Sequence, residues 1–210
     1  MTSGRTIDQD GHVVYSGMWW ALALPGVILT VNGLLAVATL GLAYFGRELG
    51  LGKLGLGVLA GFAVWTLFEY LLHRFVLHHT RIGILRRVFW RALHQEHHEV
   101  PGMREPDYHS IHLAISLPAL LLVVVVTALA SRTGHPLAIA GGWCLGYCAY
   151  EWIHMVIHTQ EPGERALRVP FLGFLYRTHT MHHFENASRN YGFSTTFWDR
   201  VFGSFSPPRD

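Results

Sequence analysis

Long stretches without charge alternate with histidine-rich ones along this chain. From Trp19 to Phe45 no residue is charged, and 27 residues exceed the roughly 20 that a helix needs to cross a bilayer. A second apolar run extends from Leu54 to about Leu72, interrupted only by Glu69. A third covers Leu113 to Ser131, and a fourth runs from Pro136 to about Ile157. The pattern predicts four transmembrane helices at about 19–45, 54–72, 113–131 and 136–157. The connections Gly46 to Lys53 and Arg132 to Pro136 are short, as adjacent antiparallel helices require, so the four helices form two hairpins.

Lysine and arginine orient the hairpins, since basic loops stay cytoplasmic. With the N-terminus inside, 13 of the 16 basic residues fall on the cytoplasmic side and only Arg47, Lys53 and Arg132 face out. The polar start MTSGRTIDQD leads into an apolar run too long for an ordinary signal core, which argues against a cleaved signal peptide. At 210 residues the expectation is one membrane domain, 1–210, all-α, with cytoplasmic regions 73–112 and 154–210 capping the helices.

Half of the residues are hydrophobic and 14% are charged, an unusual balance for a soluble protein. The net charge of +2 gives no reason to expect a nucleic-acid partner. Arg81, Arg86, Arg87 and Arg91, interleaved with Ile82, Ile84, Leu85, Val88, Phe89 and Trp90, read either as an amphipathic segment at the headgroups or as ordinary positive-inside bias. Gly57 with Gly61, and Gly142 with Gly146, have the small-xxx-small spacing of close helix packing in lipid. Cys144 and Cys148 read as packing residues of the fourth helix.

Ten histidines then change the picture. They fall into four clusters: His73 with His78; His94, His97 and His98; His154 with His158; and His179, His182 and His183. Neutral imidazole binds transition metals, and spacings of three and four on a helix put two rings on one face. HQEHH at 94–98 and HTMHH at 179–183 both have that spacing, and so do His154 and His158. His73 and His78 lie five apart, about 140 degrees on a regular helix, so they need a local distortion or serve different ions. His79 could stand in for His78. Ten imidazoles suit two metals, and exactly two crossings between the second and third clusters keep all four on one side of the membrane.

Glu69, Glu151 and Glu96 recur beside the clusters as candidate acceptors of an imidazole N–H. Glu69 and Glu151 are costly in a membrane helix without such a role. His109 and His112 read as interfacial hydrogen-bonding residues. Trp65, Phe68, Tyr70, Phe193 and Trp198 are candidates for a lipid path, with an interfacial aromatic belt as the default explanation. NYGFSTT at 190–196 reads as a segment that turns and caps the chain over the site, with Asn190 and Tyr191 supporting the ligands.

EYLLHRFVLHH at 69–79, HQEHH at 94–98, EWIHMVIH at 151–158 and HTMHHFENASRNYGFSTTFWDRVFGS at 179–204 resemble the fatty acid hydroxylase and sterol desaturase superfamily of membrane di-metal enzymes. The order of motifs is most similar to the branch that hydroxylates fatty acids or the acyl chain of ceramides at carbon 2. The resemblance implies that His73, His78, His94, His97, His98, His154, His158, His179, His182 and His183 hold two iron ions. It implies a lipid hydroxylase drawing its substrate from the bilayer and using dioxygen. Members of that branch often carry a fused cytochrome b5 domain. The expectation here is a separate electron donor, of cytochrome b5 or ferredoxin type with a reductase. REPDYHSIH at 104–112 differs from the corresponding loop of that branch, which leaves the substrate open. Carotenoid ring hydroxylases share the size and the four clusters, but the WDRVFGS ending argues against them. Desaturation or oxidation of a sterol or carotenoid uses the same ligands. A non-catalytic membrane metal-binding protein, and a zinc site, are the further readings; zinc can also replace iron during purification.

Overall fold

A proline sets the start of the first long helix. The computed structural model describes residues 4–7, 13–16, 24–83, 86, 94, 98, 113–130, 135–159 and 163–208. Helix α1, Pro25–Gly41, has Pro25 in its first turn, where the missing N–H costs nothing, and continues as a π-helical turn, Leu42–Gly46. Helix α2 is Leu51–Leu71 and continues as a second π-helical segment, Leu72–His78. Helix α3 is Leu113–Ala130, with Pro118 inside it, and α4 is His135–Thr159. After a short 3-10 turn, Ala166–Arg168, come α5, Pro170–Phe184, and the five-residue α6, Phe197–Val201.

All four helices expected from the apolar runs are present. Two of them, Pro25–Gly46 and Leu51–His78, are long and apolar enough to cross a membrane. Strands β1, Gly4–Ile7, and β2, Val13–Ser16, form a two-stranded ribbon ahead of them, the one departure from an all-α reading among the described residues. Apolar alternation over four residues is too short to announce it. The segments 104–112 and 19–23, most of 84–91, and His97, His109 and His112 lie outside the described residues.

By their contacts the residues group into two compact units. One comprises Met1–Ser3, Ser16–Trp65 and Ser110–Glu151; the other comprises Gly4–Tyr15, Thr66–His109 and Trp152–Asp210. In the first unit α2 and α4 meet backbone to backbone. A methyl group built on Gly57 would lie 2.5 Å from the Ala138 Cβ, one on Gly61 would collide with the Ile139 carbonyl oxygen, and one on Gly142 with that of Val58. The glycines thus have the packing role their spacing indicates, and they let the two backbones approach closely enough for dispersion to act along the crossing. Below Gly146 the Trp65 ring stacks on Tyr147 at 4.2 Å and meets Trp143 edge-on at 5.1 Å. Trp65 is therefore a core residue, not part of an open path. Leu34, Val37, Phe45, Leu59, Leu121 and Leu129 point outward, as on helices whose surroundings are apolar.

Candidate metal centre

The π-helical segment Leu72–His78 resolves the awkward spacing of the first histidine pair. Its wider turn brings side chains five apart towards one face, and such turns are frequent at functional sites. The ring nitrogens of His73 and His78 stand 3.2 Å apart. His94, His98 and His182 join them, so that the candidate ligand atoms of all five lie within 4.8 Å of one another. The Nε2 atoms of His78 and His94 are 2.9 Å apart, those of His94 and His98 3.1 Å, and those of His182 and His78 3.0 Å. The backbone N–H of His98 donates to the carbonyl of His94, one helical turn that sets both rings on the same side.

A second group forms beside it. His154, His158 and His179 bring their nitrogens within the same 4.8 Å, His158 and His179 at 3.0 Å. His183 Nε2 lies 2.8 Å from that of His179, and its ring stacks on His98 at 4.3 Å. On α5 the three- and four-residue spacing therefore divides its histidines: His182 faces the first group, His179 and His183 the second. His79 belongs to neither; its Nε2 is 3.2 Å from the Tyr191 hydroxyl.

The chemistry of this donor set fits a cation. His73 donates its Nδ1–H to the Tyr191 carbonyl at 2.6 Å, and His182 donates its Nδ1–H to the Arg189 carbonyl at 2.7 Å. A carbonyl only accepts, so in the neutral rings both Nε2 atoms present lone pairs to the centre of the group. Protonating the rings is no remedy. Burial, and then the neighbouring rings, push His98 and His183 down from 6.5 to about 2, and hold His94, His179 and His182 well below their ordinary value. Nitrogens about 3 Å apart are also the spacing of neighbouring ligands at metal–nitrogen bonds of roughly 2.0–2.1 Å set at right angles.

The loop 189–196 supports this arrangement. Four consecutive amides are held by two carboxylates: Tyr191 and Gly192 donate to Asp199 at 2.8 and 2.7 Å, and Phe193 and Ser194 donate to Glu69 at 2.6 and 2.7 Å. The Ser194 hydroxyl adds a third bond to Glu69 at 2.5 Å. Glu69 thus differs from its expected role, since it takes the amides of the loop and not an imidazole N–H. Its place in an apolar helix follows, because three donors offset the cost of burying it. Asn190 adopts a left-handed conformation, φ 54°, which asparagine tolerates well, and its side chain accepts from the Ser206 N–H at 2.8 Å. Phe193 lies edge-on to His154 and His179, 4.2 Å from each. Tyr70 is buried and hydrogen-bonded to Ser204, so it is a core residue and lines no open path, while the half-buried Trp198 donates its indole N–H to Thr66. Glu151 is fully buried on α4. Asp199 escaped the reading of the sequence as a functional residue; an acid inside the aromatic run GFSTTFWD was the available signal.

Apolar helices carrying two adjacent groups of converging imidazoles define a class of helical, membrane-associated metalloproteins. The sequence model of the fatty acid hydroxylase family matches residues 58–204. The chain is 31% identical over 196 residues to a dihydroceramide fatty acyl 2-hydroxylase of Arabidopsis thaliana, with 89% of this chain and 73% of the relative covered. It is 30% identical over 163 residues to a fatty acid 2-hydroxylase of Rattus norvegicus, covering 73% of this chain and 40% of that one. A solved structure of full-length Scs7p, with only the hydroxylase domain visible, superposes with a TM-score of 0.71 at 22% identity, covering 92% of this chain and 73% of that chain. The chain belongs to the fatty acid hydroxylase family, and so to the oxidoreductases that hydroxylate lipids.

Proposed function

We propose that the chain is a membrane-bound di-iron oxygenase that hydroxylates a C–H bond of a fatty acyl chain, free or in a ceramide, at carbon 2. The observation that carries this reading is the convergence of five imidazoles beside a further group in a chain whose relatives bear the names of acyl 2-hydroxylases. His73, His78, His94, His98 and His182 would hold one iron, and His154, His158, His179 and His183 the other; the resemblance adds His97, which lies outside the described residues, as a tenth ligand. Iron supplies the dioxygen chemistry that an unactivated C–H bond demands and that no side chain offers. The residues of the chain fix the rings: the carbonyls of Tyr191 and Arg189 set the tautomers of His73 and His182, and Phe193 packs dry apolar surface against the second group. Glu151 is the candidate for a comparable role beside His154.

In this reading α1 to α4 cross the bilayer as two hairpins, and the site faces the cytoplasm with both termini. The bias of basic residues to that side supports the topology. Substrate enters from the bilayer, and electrons come from a separate donor of cytochrome b5 or ferredoxin type.

Mass spectrometry of membrane lipids from cells making the protein, beside cells making His183→Ala, tests the function. A lipid class gaining one oxygen only with the intact protein is expected. Loss of two hydrogens would make it a desaturase. No change with reductase and donor supplied would sink the catalytic reading.

A further inference from the structure

One peptide group carries two of the bonds described above. The unit joining Tyr191 to Gly192 receives the His73 Nδ1–H on its carbonyl at 2.6 Å and donates its own N–H to Asp199 Oδ2 at 2.7 Å. In a trans peptide these two ends point in opposite directions and are conjugated through the C–N bond. Negative charge at the N–H end therefore draws the amide dipole towards itself and enriches the carbonyl oxygen. A richer oxygen pulls harder on the Nδ1–H and makes Nε2 of the same ring a better donor. Hydrogen bonds in series polarise one another in this way, more so where water is excluded. Asp199 and Tyr191 are both buried.

We propose that Asp199 is a positioning residue that acts on His73 through this single peptide, a carboxylate–peptide–imidazole relay in place of the direct carboxylate–histidine pair common behind metal ligands. The proposal rests on His73 being a metal ligand. His182 differs: its acceptor, the Arg189 carbonyl, belongs to the peptide whose N–H, on Asn190, donates to the neutral carbonyl of Ser204 at 3.0 Å. These two backbone-anchored rings, His73 and His182, are thus unequally charged from behind.

The test uses the full-length protein in detergent, with Co(II) as the metal probe, and reads affinity by chelator competition and the visible ligand-field band. Asp199→Asn removes the charge while nearly conserving shape; Co(II) affinity should fall roughly 10- to 100-fold, the range for residues behind a ligand, with a shifted band. Parental affinity with an unmoved band in Asp199→Asn would overturn the relay. His73→Ala separates the layers: if it retains parental affinity, the ligand assignment fails; if it loses affinity while Asp199→Asn does not, only the relay fails.

A second measurement needs no variant. Tyr191–Gly192 is the one Tyr–Gly pair in the sequence, so carbonyl-13C tyrosine with 15N glycine labels this peptide uniquely for NMR. Loading Zn(II) should move the Gly192 amide proton downfield, because a metal on Nε2 makes Nδ1–H a stronger donor and passes polarisation along the peptide. A resonance that stays in place while Zn(II) binds would overturn the proposal.

Discussion

At the scale of single residues, adjacent histidines have different functions. His78 sits 2.9–3.2 Å from three other ring nitrogens, whereas His79 meets the Tyr191 hydroxyl. His78→Ala should lower bound metal by about one equivalent in elemental analysis, and His79→Ala should leave the metal content of the parent protein. Glu69 gives a second residue-level prediction. Truncation to alanine strands three buried donors at about 1–3 kcal/mol each, so Glu69→Ala should lose about 3 kcal/mol or more of stability, read as a lower melting temperature in detergent. Melting unchanged from the parent would show that the amides find other partners. Histidine spacing made the candidate ligands legible in the sequence, because three- and four-residue repeats translate directly into shared faces. The roles of Glu69 and Asp199 were not legible. Glu69 meets its partners 124 and 125 residues away, and no local pattern announces a bond between a carboxylate and a distant backbone amide.

At the scale of elements, two devices set the geometry. One is the π-helical segment after α2, a distortion that the five-residue spacing of His73 and His78 offered as one of two readings, beside ligation of different ions. The other is the glycine-lined crossing of α2 and α4. Gly142→Leu places a branched side chain where the Val58 carbonyl already lies, while Gly52→Leu, with nothing within 4 Å of its added Cβ, does not. The first should cost at least about 1–3 kcal/mol, the usual penalty of overpacking, and the second should melt like the parent. Equal melting of both would mean that the helices separate at no cost. Small-residue spacing gave this contact away in advance. The N-terminal ribbon had no comparable signal, since two four-residue strands hold too few positions for alternation to stand out.

At the scale of the whole molecule, the two groups of imidazoles draw on residues 73–98 and 154–183, distant stretches that lie in the same compact unit. Metal that binds only the assembled site stabilises that assembly by mass action, about 2.7 kcal/mol at a hundredfold excess over Kd. Chelator-treated protein should therefore melt at a lower temperature, and Fe(II) should restore the loss in a concentration-dependent way; a melting temperature indifferent to metal would deny that the histidines converge on one. The helices were legible from hydropathy because length and charge decide what lipid accepts. The convergence of distant histidine stretches was legible only as a count of ligands, since contact across a hundred residues leaves no periodic trace.

The loop that clamps Glu69 has a further consequence for how the protein is made. A ribosome synthesises α2 more than a hundred residues before Ser194, so during most of translation the Glu69 carboxylate sits in an apolar helix without its donors. For that interval the nascent chain carries a mark of incompleteness that disappears only once the loop has docked. A chain stopped short of Ser194 keeps that mark for as long as it exists.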